Sequence, residues 1–153
     1  MRIHGLIKFF VFLSFALGFL ACEPDPPGEG RYVKEDFEGQ EQVLLRLICE
    51  SAPDNDPDKN PNNFVYFYFG DSKVKLGQIK ECRTIPYDSW AKFGIPEASI
   101  AVTGGWWEGV GNYYYIVRDD GKLKVYLKTI KDSDEVPGPA KEVYVAKEPE
   151  ELQ

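Results

Sequence analysis

The stretch YYYIVRDDGKLKVYLK, residues 113–128, decides the fold class of this chain. Apolar and polar residues alternate on both sides of Asp120-Gly121, which is the period of half-buried strands. Glycine supplies the positive φ of a tight two-residue turn, so Asp-Gly between alternating runs predicts a β-hairpin. Three side chains of the second arm share one face, namely Leu123, Val125 and Leu127.

The period of two recurs outward from this hairpin and predicts further strands. Matching runs occupy residues 43–49, 64–69, 73–82 and 142–145. The run 64–69 is apolar on both sides, which favours a central strand. Gly77 interrupts the third run and predicts a bulge or bend there.

A non-strand segment at residues 87–101 separates the two halves. Asp88 is expected to cap a short helix that Gly94 ends, and Pro96 to open a second helix. Its apolar side chains would cover one open end or face of the sheet: Trp90, Phe93 and Ile100. The sequence therefore predicts a mainly β domain, a small antiparallel sheet or curled barrel of about six strands with a short helical insert.

The N-terminus has the marks of a secretory signal peptide. Arg2 and Lys8 precede an uncharged apolar run at residues 9–20. This run is shorter than the roughly 20 apolar residues that a helix needs to cross a bilayer. Phe19-Leu20-Ala21-Cys22 resembles a bacterial lipoprotein lipobox of the Bacteroidetes type. That resemblance implies acylation of Cys22 (palmitate) and a lipid anchor in the cell envelope, most simply the outer membrane. Ordinary cleavage near Ala21 and an uncleaved anchor are the alternatives.

The rest of the chain divides into a tether, one domain and a tail. After a signal peptide at 1–21, residues 22–38 are rich in proline, glycine and acids and predict a flexible tether. Residues 39–147 are long enough for a single β-rich domain, and 148–153 are expected to be a tail. Whether the domain faces the periplasm or the exterior stays open.

The net charge of the chain limits the classes of partner that it is expected to bind. Without residues 1–21 the chain has 16 basic and 25 acidic residues, a net charge of −9. Nucleic-acid binding depends on lysine and arginine at phosphates, so no nucleic-acid partner is expected. A protein or glycan of the envelope, beside the membrane itself, is the expected partner.

The cysteines predict one disulfide. If Cys22 takes lipid, Cys49 and Cys82 remain as a pair in an oxidising compartment. Their loop of 33 residues gives a stabilisation of about 3–4 kcal/mol. Two separately buried thiols are the alternative.

Catalysis has few candidate residues. The only histidine lies in the predicted signal peptide, so triad chemistry and histidine-dependent metal sites are excluded for the mature chain, and no cofactor is expected. Glu108, Asp119 and Asp120 leave a carboxylate-dependent glycan hydrolase as the runner-up. The Asp-Gly turn explains the last two acids equally well, and an enzyme is not expected.

Two segments are weighed as binding sites. Asp54, Asp56, Asp58 and Asn60 alternate like calcium ligands, but an EF-hand frame puts Lys59 at its glycine position, so a plain loop is the favoured interpretation. The candidate ligand-binding aromatics are Trp106, Trp107, Tyr113 and Trp90. Adjacent tryptophans in a strand point to opposite sides, so at most one of them could bind a ligand, and a core and turn role is the favoured interpretation.

The sequence therefore favours a non-catalytic binding or interaction module tethered to the envelope. By class the chain is similar to small disulfide-bonded β lipoproteins, which include lysozyme inhibitors and immunity or assembly accessories. A purely structural envelope component is the third hypothesis.

Overall fold

The computed structural model describes residues 30–35, 41–134 and 138–148. The predicted signal peptide, the lipobox-like residues and Cys22 lie outside this part, as do residues 23–29 and 36–38 of the predicted tether and 149–153 of the predicted tail. No helix of the described residues is long and apolar enough to cross a membrane.

The described residues form eight antiparallel strands in two sheets, so the mainly β prediction is confirmed. Sheet 1 contains β1 (Gly30–Glu35), β2 (Glu41–Ser51), β3 (Asn62–Phe69) and β4 (Ser72–Lys80), in that order. Sheet 2 contains β5 (Ala101–Trp107), β6 (Val110–Asp119), β7 (Lys122–Lys131) and β8 (Lys141–Lys147), also in chain order. The strands form two sheets rather than one curled sheet or barrel.

The two strands beyond the expected six lie where the sequence predicted no strand. β1 falls within the predicted tether, and its backbone pairs with β2 through residues 30–35. β5 contains Gly104-Gly105, which weaken a strand in isolation, and it forms because its backbone pairs with β6 along its whole length. Glu148, the first residue of the predicted tail, is buried and forms an ion pair with Arg118.

The predicted hairpin is present. Asp120 and Gly121 have φ angles of 47° and 66° and join β6 to β7. The bulge predicted at Gly77 is also present, since Val65 pairs with Gly77 whereas Tyr66 pairs with Lys75. Gly77 leaves room there for Tyr114, because an added Cβ would collide with the tyrosine hydroxyl as it is now placed. A side chain of sheet 2 thus inserts at the bulge of sheet 1.

The two sheets face each other across one hydrophobic core. Sheet 1 contributes Leu45, Leu47, Val65, Phe67 and Ile79, and sheet 2 contributes Ala101, Tyr114, Ile116, Leu123 and Val125. The disulfide between Cys49 and Cys82 is present, as predicted, and its sulfurs pack against this core. The buried Thr103 hydroxyl lies 3.6 Å from one sulfur and 3.4 Å from the other.

The helical insert covers the second face of sheet 2. It consists of two 3₁₀ turns, Tyr87–Ser89 and Ala91–Phe93, and Gly94 ends the second with a φ of 64°. The predicted Asp88 cap is wrong, because Asp88 lies inside the first turn, which begins after Pro86 without a side-chain cap. The predicted second helix is replaced by a turn closed from Ser99 N–H to Pro96 C=O (3.0 Å).

Candidate binding surface

The solvent face of sheet 1 carries a row of aromatic rings on β3. Val65 and Phe67 of this strand point into the core between the sheets and are nearly fully buried. Successive side chains of a strand alternate between faces, so Phe64, Tyr66 and Tyr68 lie on the opposite face. These three rings are half-buried and belong to neither hydrophobic cluster of the described residues.

Charged side chains from both neighbouring strands flank this row. On β2, Arg46 is opposite Tyr68 and Glu50 is opposite Phe64. On β4, Lys73 is opposite Tyr68 and Lys75 is opposite Tyr66. We call this surface the aromatic–cation face, and it consists of Arg46, Glu50, Phe64, Tyr66, Tyr68, Lys73 and Lys75.

Each ring of the row has a cation over it. The Nζ atom of Lys75 lies 3.3 Å from the ring centroid of Phe64, and that of Lys73 lies 4.1 Å from the centroid of Tyr66. The guanidinium carbon of Arg46 lies 5.2 Å from the centroid of Tyr68. Cations within about 6 Å of a ring centroid are attracted by its negative face, and each such pair contributes roughly 0.5–1 kcal/mol at exposed sites.

Glu50 is the one acidic member of this face. Its carboxylate accepts hydrogen bonds from Lys73 Nζ (2.7 Å) and from the Tyr68 hydroxyl (2.6 Å). These donors hold the pKa of Glu50 below its ordinary value, and the same ion pair raises the pKa of Lys73. The face therefore combines three cations with one ionised carboxylate and has an excess of two positive charges, whereas the whole chain has a net charge of −7.

The predicted aromatic candidates lie elsewhere, mainly under the helical insert. Tyr113 is 2% exposed, and Phe93 stacks on it with ring centroids 4.4 Å apart. Trp90 is half-buried beside the same cluster and donates its indole N–H to Ile85 C=O (3.1 Å). Both rings pack in the cluster that holds the insert on sheet 2.

The two adjacent tryptophans point to opposite sides of β5, and both are half-buried. Trp106 packs with the cluster under the insert, and its ring lies across Gly111, where an added Cβ would be 2.5 Å from the indole. Trp107 belongs to neither cluster of the described part of the chain. Of the four candidates, Trp107 is thus the one not held by cluster packing.

The acidic loop is built from hydrogen bonds of its own. Asp54 accepts from Asn62 Nδ2 at 2.9 and 3.0 Å, and Asp56 accepts from the backbone N–H of Asp58 at 3.1 Å. The side-chain oxygen of Asn60 accepts from Lys80. The described residues contain no group of three or more acidic, histidine or cysteine side chains arranged to hold a metal ion.

The acids of the hydrolase hypothesis do not share a cleft. Glu108 occupies the turn between β5 and β6, whereas Asp119 and Asp120 lie at the other end of β6. Ten residues of strand separate these ends by about 30 Å. Carboxyl pairs of glycosidases are about 5–9.5 Å apart, so these residues do not form such a pair.

A small cavity of about 390 Å³ lies beside the disulfide, where loop 53–61 crosses the end of the core. Its lining includes Cys49, Cys82, Pro57, Pro61, Asn55 and Glu81. The Oδ1 atom of Asn55 is buried there without a hydrogen-bond partner among the described residues.

The aromatic–cation face was not singled out from the sequence, although its signal is present. The run 64–69 is apolar at every position, and in a domain of two sheets only one face of an inner strand lies between them. The second set of rings must then face outward, and Lys73 and Lys75 share that side.

Comparisons with protein-family models, with curated proteins and with solved structures gave no match for this chain.

Proposed function

We propose that this chain is a non-catalytic binding module of the cell envelope and that the aromatic–cation face is its binding surface. The observation that carries the proposal is the row of three ring–cation pairs on the solvent side of sheet 1. Tyrosine and arginine are enriched among the residues that dominate binding energy.

The tether supports the same function. A basic start, a short apolar run and Cys22 favour export followed by lipid attachment. Several acyl chains on one cysteine anchor a protein stably, because each buried methylene contributes about 0.8 kcal/mol. The domain then stands at the membrane surface, with the aromatic–cation face available to envelope components.

Replacing the cysteine tests the anchor. The Cys22→Ala variant is expected to leave the membrane fraction, whereas the unchanged protein stays in it through carbonate and high-salt washes. Retention of the variant in the membrane would instead indicate an uncleaved apolar anchor and would contradict lipid attachment at this residue.

A pair of charge-reversed variants tests the binding surface. The face variant, Lys73→Glu/Lys75→Glu, reverses two cations of the aromatic–cation face. The control variant, Lys122→Glu/Lys147→Glu, makes the same charge change at two exposed, paired lysines of sheet 2. Full-length protein is extracted in non-ionic detergent, immobilised and incubated with envelope extract, and retained protein and carbohydrate are measured.

We expect the face variant to lose most of the retained material and the control variant to keep it. Equal retention by both variants would show that the aromatic–cation face is not the binding surface. Unfolding midpoints of both variants are measured as well, and binding is compared where both are fully folded, because the face variant loses two ring–cation pairs and the ion pair with Glu50.

A further inference from the structure

The core-facing side of sheet 1 continues past the hydrophobic core into the cavity beside the disulfide. Leu45 and Leu47 of β2 face the core. Ser51 lies further along the same side of β2, where it is opposite Asn63 of β3. These two short polar side chains stand where the buried rows would otherwise continue with large apolar residues. The space that they leave is a cavity of about 390 Å³, within the range of pockets that hold small organic ligands.

The wall of this cavity is fixed by hydrogen bonds of the protein itself. The backbone N–H of Asn55 donates to Ala52 C=O (2.9 Å). Pro61 C=O accepts from the backbone N–H of Glu81 (2.6 Å) and from Asn63 Nδ2 (3.1 Å). The disulfide ties β2 to the segment that carries Glu81. A site that is already ordered loses less conformational entropy when a ligand binds.

One buried polar atom of the wall has no hydrogen-bond partner. Asn55 lines the cavity, and its Oδ1 atom is shielded from solvent but accepts no hydrogen bond within the described part of the chain. A buried acceptor without a partner costs free energy, and a donor held in the cavity would recover that cost. This atom therefore points to a ligand that carries N–H or O–H groups.

The other polar groups of the wall favour a donor with a positive charge. The amide nitrogen of Asn63 is bound to Pro61 C=O, which leaves its Oδ1 atom as an acceptor. Glu81 adds a carboxylate, and the described residues that line the cavity include no lysine or arginine. A primary ammonium group has three N–H donors and no acceptor, so it matches a wall of acceptors with one negative charge.

The ion pair between Glu81 and Arg83 leaves room for a second cation. Arg83 bonds to the Oε1 atom of Glu81 alone, whereas a carboxylate has about four acceptor sites on its two oxygens. The side chain of Arg83 is 62% exposed, and exposed ion pairs of this kind contribute little to stability. A ligand cation can therefore share or take over this carboxylate.

The apolar part of the wall separates an organic cation from a metal ion. Pro57, Pro61 and the disulfide sulfurs line the cavity beside the acceptors, and they offer contacts to carbon atoms. Calcium sites use several carboxylates, and among the residues that the structure describes no three acidic, histidine or cysteine side chains are grouped to hold a metal ion. An anion would meet the Glu81 carboxylate without a facing cation in the wall.

We propose that this cavity binds a small organic cation, a primary ammonium group on a short carbon skeleton. The ammonium donates to the acceptors of Asn55, Asn63 and Glu81, and the carbon skeleton packs on the two prolines and the disulfide. This inference goes beyond the proposed function, because the cavity lies on the core-facing side of sheet 1 and the aromatic–cation face lies on its other side. A free amine and a lysine side chain of another protein share this chemistry.

The experiment is a calorimetric titration of full-length, oxidised protein in non-ionic detergent, with the heats of each probe in detergent alone subtracted. Cyclohexylmethylamine is the cationic probe, and cyclohexylmethanol and cyclohexanecarboxylate are the uncharged and anionic probes of nearly the same shape. Calcium chloride tests for a metal site. Nα-acetyl-lysine amide presents the same ammonium group on a peptide unit, and its affinity relative to the free amine distinguishes the two sources.

Three substitutions locate the bound cation. Glu81→Gln removes the charge at constant size, and Ser51→Leu continues the row of buried leucines into the cavity. Glu108→Gln is the matched substitution, because Glu108 is an exposed glutamate outside the cavity with a φ of 47°, close to the 48° of Glu81.

We expect the amine to bind at least about tenfold more tightly than the alcohol or the carboxylate, because only the amine matches the charge of the wall. Glu81→Gln should weaken amine binding by about fivefold or more while alcohol binding and the Glu108→Gln protein stay within about twofold of the unchanged protein. Ser51→Leu should abolish amine binding without lowering the unfolding midpoint.

Absence of amine binding to the unchanged protein would overturn the inference and would mean that water alone satisfies Asn55. Equal affinities for the amine and the alcohol would contradict the assigned charge, and so would calcium binding that displaces the amine. Equal losses in Glu81→Gln and Glu108→Gln would place the cation elsewhere on the chain. These comparisons do not depend on whether the Ser51→Leu protein folds.

Discussion

The contact between Gly105 and the end of β4 allows a sharp test of the fold. Gly105 lies in β5 directly beneath the chain that leaves sheet 1. An added Cβ would be 2.5 Å from the carbonyl carbon of Glu81 and 2.6 Å from the carbonyl oxygen of Lys80, and nearer still to the carbonyl oxygen of Glu81. All of these atoms belong to the backbone, so no side-chain rotation relieves the collision.

The cost of Gly105→Ala follows from the distances. Non-bonded heavy atoms in ordinary contact are about 3.5 Å apart, and the nearest atom is the carbonyl oxygen of Glu81, so the two backbones must separate by about 2 Å. The hydrogen bond from Arg83 N–H to Gly104 C=O, now 2.7 Å, would lengthen beyond bonding distance. Overpacking costs about 1–3 kcal/mol and the lost bond about 1 kcal/mol, while the stiffer unfolded chain returns about 0.4–1 kcal/mol. We expect a net loss of about 2–3 kcal/mol in the free energy of unfolding.

Denaturant unfolding of the oxidised protein, followed by tryptophan fluorescence, measures this loss. The matched control is Gly138→Ala, where an added Cβ meets no atom within 4 Å. The control should remain within about 0.5 kcal/mol of the unchanged protein. Our account of the β4–β5 contact fails if Gly105→Ala is as stable as Gly138→Ala at an unchanged denaturant slope.

Two further predictions concern the disulfide and the buried tyrosines. Replacing Cys49 and Cys82 together by alanine should lower the free energy of unfolding by about 3.7 kcal/mol, a value that follows from the sequence separation of 33 residues. A reductant should destabilise the unchanged protein but not the variant. Equal sensitivity of both proteins to the reductant would contradict a structural disulfide. Burial raises the pKa of Tyr113, Tyr114 and Tyr115 above the ordinary 10.0. The stability contributed by these raised values is complete below pH 10.0 and is lost as pH rises through the folded-state pKa, by up to about 1.4 kcal/mol per pH unit for each tyrosine. Unfolding midpoints measured across this alkaline range should fall together with the appearance of phenolate absorbance, and phenolate formation without loss of stability would show that the rings are open to solvent.

The local elements of the fold are predictable from the sequence because each depends on residues close together in the chain. The Asp120-Gly121 turn has a strong preference for positive φ, and Gly77 marks a bulge in an otherwise regular strand. The disulfide is predictable from the cysteine count and the expected compartment. These features need no knowledge of which strands pair.

The strands that were missed depend on distant partners. Gly104 and Gly105 weaken a strand in isolation, yet a larger side chain at either position would collide with the backbone of β6 or with the chain after β4. A glycine pair therefore indicates a close approach here, although its local preference is for a turn. The number of sheets could not be predicted either, because alternation shows that a strand is half-buried without showing what covers it.

The aromatic residues show the same limit. Tyr113, Tyr114 and Tyr115 are equally apolar neighbours, and all three are buried, because sheet 2 is covered by sheet 1 on one face and by the insert on the other. Tyr66 and Tyr68 are the same residue type, but their side of sheet 1 has no described cover. The sequence could not distinguish these two sets, since they differ in whether another layer of the fold covers that side of the strand.

A purely protective role for the cations is the strongest alternative to a binding role. Lysines beside exposed rings keep a sheet face from associating with other chains, and β4 is an edge strand on which lysines are expected. Both roles predict that the face variant retains less envelope material, so loss of binding in that variant alone does not decide between them. Self-association does decide. Protection predicts that the face variant forms larger species than the control variant, because two lysines no longer separate the rings of neighbouring chains. Binding predicts that the face variant stays as dispersed as the control variant and still loses the retained envelope material.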